Sequence, residues 1–270
     1  MKKNILLSSI LIVSSIITLN SCQKKTEVDN ETQTVVDNAL CEQQFMSVAP
    51  VVNEKGSGSP KQQGFRVNGC GSGVWISPAD TAIDASGAYT FSVMPTFTLD
   101  YSANTCADND NITKSGKLYI SSSHKWTAIK TLTTTITHTA TVVFDNYTAD
   151  GVKYEGTVTL IKTGNTVRTI VTNGHCTNAA GSWHIYYNAD KTTELLSDGS
   201  VKVWGTSGGT NREGRAFSTS ISQSNPIVKK PTCKWISSGV IDVTPEGFKV
   251  RSVDFGNGDC DNKATYTVNE

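Results

Sequence analysis

The chain has 270 residues, with 24 Lys plus Arg against 24 Asp plus Glu, so its formal net charge is zero. Its basic residues are scattered rather than clustered, which excludes the electrostatic footprint of a nucleic-acid-binding protein. Leu is scarce while Thr, Ser, Gly and Asn abound, a composition that favours strands and turns over helices.

Lys2 and Lys3 precede an apolar run from Ile5 to Leu19, broken only by Ser and Thr. Those 15 residues are too few for a helix to span a hydrocarbon core of about 30 Å, and they fit a secretory signal. The run closes in Leu19-Asn20-Ser21-Cys22, which resembles a bacterial lipobox, with Asn20 in place of the usual small or apolar residue. The resemblance implies cleavage before Cys22 and acylation of its sulfur. No later segment is apolar enough to cross a membrane, so the lipid alone would anchor the chain, and two or three acyl chains suffice for that. The expected division is a signal peptide over 1–21, a lipidated tether with a short helix over 22–60, and a single β domain over 61–270 that contains a weak internal repeat.

The tether is polar to about residue 30. Val35, Val36, Ala39, Leu40, Phe45, Met46 and Val48 then recur at roughly helical spacing, which predicts one helix between Glu31 and Glu54. Lys55-Gly56-Ser57-Gly58-Ser59-Pro60 breaks it. From about Phe65 the period is two. Between Thr131 and Phe144 the even positions are Leu132, Thr134, Ile136, His138, Ala140, Val142 and Phe144, while the odd positions are nearly all threonine. That alternation predicts a long half-buried strand. Asp150-Gly151, Gly164-Asn165 and Asp198-Gly199 read as hairpin turns, because such pairs tolerate positive φ cheaply. Gly208-Gly209 and Glu213-Gly214 read as later corners. The expected fold is all-β, an antiparallel meander of eight to twelve long strands with a short N-terminal helix, as an extended sheet, a sandwich or an open barrel.

Six cysteines follow Cys22, and in an exported chain disulfides are the default. Asp100-Tyr101…Cys106 repeats as Asp254-Phe255…Cys260 at equal spacing. Residues equidistant from a hairpin turn face each other. Cys70 and Cys106 flank Ser86-Gly87 in this way, and Cys233 and Cys260 flank Thr244-Pro245-Glu246-Gly247. Both pairs are therefore predicted to be disulfides. Cys41 and Cys176 are left to pair or to stay free.

These stretches resemble a broad group of envelope lipoproteins from Bacteroidota. The matching residues are the lipobox cysteine, the helix-like segment, Lys114-Ser115-Gly116-Lys117-Leu118, Phe144-Asp145-Asn146-Tyr147 and Tyr154-Glu155-Gly156-Thr157. The closing Val253-Asp254-Phe255-Gly256-Asn257-Gly258-Asp259-Cys260-Asp261 is the most specific of them. The resemblance implies an all-β outer-membrane lipoprotein and carries no activity with it. After Cys22, Gln23-Lys24 resembles the signal that routes such lipoproteins to the cell surface, and Lys25-Thr26 departs from it. The periplasmic and surface faces therefore both stay open.

Candidate chemistry is sparse. His124, His138, His175 and His184 lack the spacing of a helical zinc site, and no serine sits in a nucleophile elbow. Two acidic loops, one with Asp108 and Asp110, the other with Asn257, Asp259 and Asp261, offer the hard oxygens that calcium prefers, although such residues are also ordinary turn formers. Trp183, Tyr186 and Tyr187 fall in one stretch and Trp204 in a later one. Trp183, Tyr187 and Trp204 are the candidates for stacking on a sugar ring. The expected function is a non-enzymatic binding or structural module for a glycan or an envelope protein. A hydrolase acting on envelope polymers and an accessory subunit of a surface complex are the alternatives.

Overall fold

The computed structural model describes residues 29–56, 65–66, 72–75, 82–83, 89–90, 96–102, 106–107, 112–123, 137–233, 235–261 and 263–269. Cys22, Cys70, Asp108 and Asp110 lie outside the described residues. The helix α1 (Gln33–Gly56) comes first, followed by β1 (Phe65–Arg66), β2 (Ser72–Trp75), β3 (Ala82–Ile83), β4 (Tyr89–Thr90), β5 (Thr96–Asp100) and β6 (Cys106–Ala107). The longest strands follow: β7 (Thr113–Ser122), β8 (Thr137–Ala149), β9 (Val152–Thr163), β10 (Thr166–Asn178), β11 (His184–Leu195) and β12 (Val201–Thr210). The chain closes with β13 (Ala216–Ile221), β14 (Ile227–Lys229), β15 (Ser238–Pro245), β16 (Arg251–Asn257) and β17 (Thr265–Val268).

Fifteen of these strands form one antiparallel meander, and β3 and β4 form a separate hairpin. Among the described residues the fold is therefore all-β with one helix, as the periodicities predict, with seventeen strands where eight to twelve were expected. In β8 the even positions His138, Ala140, Val142 and Phe144 are all buried. The turn at Asp150-Gly151 takes positive φ at both residues, as its residue types require. Gly208 and Gly209, expected at a corner, instead lie inside β12. A Cβ on Gly209 would fall 1.8 Å from the Tyr186 carbonyl oxygen of the neighbouring β11. The glycine is there because two backbones approach closely, not because the chain turns.

The register aligns one row of side chains across the whole sheet: Phe97, Ile120, Val142, Val158, Val171, Ala189, Ser207, Thr219, Val243 and Arg251 are successive cross-strand partners. All ten are buried. The row is apolar up to Ala189 and polar at Ser207, Thr219 and Arg251, with Val243 between the last two, and α1 lies over it with a matching change. Thr34, Asp37 and Asn38 at its start are buried, as are Cys41, Phe45, Val48 and Val52 further on. Asn38 Oδ1 accepts a hydrogen bond from Ser207 (3.0 Å), and Asp37 pairs with Arg212 at 2.6 Å. Phe45 is wedged into an aromatic cage, stacked on Tyr187 at 5.6 Å and edge-on to Phe144 and Tyr154.

The helix start is capped by Glu31, whose carboxylate accepts the Thr34 N–H at 2.8 Å, satisfying one of the first-turn donors left without an intrahelical acceptor. Glu31 is also fastened to Arg251 of β16, while Phe45 meets Phe144 of β8. In between, the chain advances roughly 21–25 Å at helical rise with two extended residues. Seven strand spacings separate β8 from β16, which is roughly 34 Å of flat sheet. The sheet must therefore curl around the helix. Bulges between β7 and β8, β8 and β9, β9 and β10, β10 and β11, and β15 and β16 supply the bending, as extra residues in a ladder do.

Cys233 and Cys260 form a disulfide with Cα atoms 5.6 Å apart. Both lie just outside β15 and β16, so the bond closes the open end of that hairpin, whose turn falls at Glu246-Gly247 as expected. The other predicted pair includes Cys70 and so lies outside the described residues. The backbone of β6 sets Cys106 opposite Lys114 of β7, and the β2–β5 register sets Ser72 opposite Asp100.

Candidate functional site

The sequence-derived aromatic candidates do not assemble. Period-two alternation sends Tyr187 inward and Trp204 outward, and Tyr187 is 0 % exposed in the core beneath Phe45. It cannot stack on a ligand, and burial raises its phenol above the ordinary range. Trp183 precedes β11 rather than lying in it, packs partly against the core, and carries the Arg212 guanidinium 4.4 Å over its ring. Trp204 is half-buried opposite Thr192. The exposed ring of this stretch is Tyr186, on the outer face and stacked on His175 at 4.9 Å.

The histidines, far apart in sequence, are partly brought together. His175 of β10 and His184 of β11 come within 3.2 Å, with Glu155 at 3.1 Å from the other nitrogen of His175. The hairpin register pairs His175 with Tyr186 and Thr177 with His184, so the two histidines meet on the diagonal. Among the described residues no group of three His, Cys, Asp or Glu side chains is arranged to hold a metal. Asn257 ends β16 and Asp259 and Asp261 follow it, where Asp261 accepts the Lys263 N–H at 3.1 Å and Lys230 donates to the Gly258 carbonyl. A lysine ammonium therefore already occupies this loop, which lowers its attraction for a second cation.

The feature that sequence reasoning missed is a groove along one flank of α1. Val35, Ala39 and Met46 recur on that flank, beside the buried stripe. Opposite them lie Val201 and Val203 of β12, Ile221 of β13 and Ile227 of β14. Ile241 of β15 and Val253 and Phe255 of β16 complete the floor. The cavity measures about 510 Å³, within the ordinary range for small-molecule sites. Val201, Val203, Ile241, Val253 and Phe255 are only half-buried, so apolar surface that the fold leaves uncovered is gathered in one place. No single strand signals this. Each contributes one or two inward positions, and only the register collects them.

Polar groups border the groove at two levels. Glu42 sits on the helix side and pairs with Lys191 at 2.9 Å, the lysine being 0 % exposed. Lys229 stands at the mouth, exposed to solvent. The arrangement can shelter a hydrocarbon segment and present a cation to whatever group ends it.

No family model matches the chain, and no curated protein or solved structure matches it. Among the described residues no helix is long and apolar enough to cross a membrane.

Proposed function

We propose that this chain is an outer-membrane lipoprotein, anchored through Cys22, whose folded part is a non-enzymatic binding module for an amphipathic molecule. The apolar portion of that ligand lies in the groove, and its anionic end meets Lys229. The groove carries this reading: about 510 Å³ lined by aliphatic side chains with one exposed lysine at its mouth. Tyr187, one of the three rings nominated for stacking on a sugar, is buried in the core and takes no part in such a site. The groove also weakens the hydrolase reading. Glu42 is the one carboxylate on the groove wall, and it is committed to Lys191.

The test is a titration of purified protein carrying Cys22→Ser, which cannot be acylated, with a fluorescent long-chain fatty acid. Saturable binding at one site per chain is expected. Val203→Trp fills the floor and abolishes it. Lys229→Glu weakens it about tenfold, the equivalent of about 1.4 kcal/mol. Absence of saturable binding, or binding indifferent to Val203→Trp while the circular dichroism is unchanged, overturns the reading.

A further inference from the structure

Two cysteines remain outside everything assigned so far. Cys41 sits in the middle of α1 and Cys176 near the end of β10, 135 residues apart in sequence, and their sulfurs are 2.8 Å apart with neither side chain exposed. We propose that these two residues form a second disulfide, which ties the helix to the sheet at the centre of the core.

The geometry needs little adjustment. A disulfide bond is about 2.05 Å long, so the sulfurs have less than an ångström to travel. Neither is on a wandering segment. Cys176 is flanked by cross-strand partners Tyr154 and Ile185, and Phe45, one helical turn beyond Cys41, is locked among Tyr154, Tyr187 and Phe144. The chain also carries the Cys233–Cys260 disulfide, which requires an oxidising compartment independently of the groove.

The step balances as thiol–disulfide exchange. The Cys41 and Cys176 thiols lose two protons and, as their S–S bond forms, pass two electrons to an oxidised dithiol protein or a small-molecule disulfide of that compartment, which is reduced to two thiols. Timing follows from burial. In the closed fold the Cys176 thiol is pushed far above its ordinary range by its dry surroundings, and exchange needs the thiolate. The bond therefore forms while α1 docks, and once formed it is sealed. Cys260, in contrast, is exposed, so a reductant acting on the folded protein opens Cys233–Cys260 first.

The inference goes beyond the groove and rests only on export. Purified full-length protein from an oxidising compartment is alkylated under denaturing conditions without reductant, digested and mapped. The peptides holding Cys41 and Cys176 are expected as one linked species, two hydrogen atoms lighter than the separate thiols and split by reduction. In a second sample, treated with reductant while folded, Cys233 and Cys260 take the label and Cys41 and Cys176 do not. Recovery of Cys41 and Cys176 as alkylated thiols while Cys233–Cys260 is intact overturns the proposal and leaves export standing. Recovery of all four as thiols overturns both. Opening of both bonds at the same reductant concentration in the folded protein overturns the sealed strap.

Discussion

Lys191 is one of the fully buried charges, and Glu42 is the group that offsets it. The ammonium is 0 % exposed and lies 2.9 Å from the carboxylate. At an effective dielectric of about 20 their attraction is roughly 6 kcal/mol, most of it consumed by desolvation of the lysine. Glu42→Leu leaves that ammonium dry and unpaired, a loss that costs about 3–5 kcal/mol in buried pairs. The Glu42 side chain is 20 % exposed, so solvent screens part of the interaction and the lower end, about 3 kcal/mol, is expected. For a chain of this size that corresponds to a fall of roughly 6–12 °C in Tm. Lys191→Met alone is expected to cost less, because the orphaned carboxylate keeps contact with water. The double variant Glu42→Leu/Lys191→Met should recover most of the loss, since apolar replacement of a whole buried pair is often neutral. Calorimetry and urea unfolding of all four proteins measure the coupling. A Glu42→Leu loss below about 1 kcal/mol, or a double variant as unstable as the sum of the singles, refutes the assignment.

Phe45→Ala removes the ring at the centre of the cage and should cost about 5 kcal/mol, from the cavity and the lost ring contacts together. A loss below about 2 kcal/mol in urea unfolding, under the usual range for such truncations, contradicts its role as the wedge. Gly209→Ala drives a methyl into the Tyr186 carbonyl, forcing β11 and β12 apart at about 3 kcal/mol. Gly214→Ala, at φ +79° in open space, should cost only about 1 kcal/mol, and equal losses by thermal melting contradict the close-approach argument. On the acid side, the Lys153 hydrogen bond holds the Glu155 carboxyl below its ordinary 4.5, against partial burial and with help from His175. A hydrogen bond from Arg168 likewise holds Asp190 below its ordinary 3.8. Folded values below unfolded ones stabilise above the ordinary range, and that contribution fades as pH falls through the folded values. Glu155→Gln should therefore flatten the decline in unfolding free energy from about pH 5 to about pH 3. An unchanged slope contradicts this.

What could be read from the sequence was whatever depends on neighbours along the chain. The alternation over His138, Ala140, Val142 and Phe144, the turns at Asp150-Gly151 and Gly164-Asn165, and the hairpin arithmetic joining Cys233 to Cys260 are local in this sense. The helix was visible through Phe45 and Val48. Its polar buried half, Thr34, Asp37 and Asn38, was not, because apolar periodicity is blind to a stripe whose partners are Asn211, Arg212 and Ser207. The groove was hidden for a related reason, since Val203, Ile241 and Phe255 look like ordinary strand residues until β12 to β16 are laid in register. The aromatic candidates failed on parity. Adjacent positions such as Tyr186 and Tyr187 face opposite sides, and nothing in the chain itself names which side is wet.

The fastening of Arg251 and Tyr266 to Glu31, contacts that span 220 and 235 residues, has a consequence for how the molecule is made. The first turn of α1 waits for nearly the last strand. A chain made from its N-terminus presents α1 early, yet the arginine that clasps the helix start is added only after the strands up to β15. Loops of that length are slow to close, and Phe45 in turn stays uncovered until its cage residues Phe144, Tyr154 and Tyr187 have been made. A holdase would shield this stretch during that interval, and truncation before Arg251 would leave the start of the helix without its clasp.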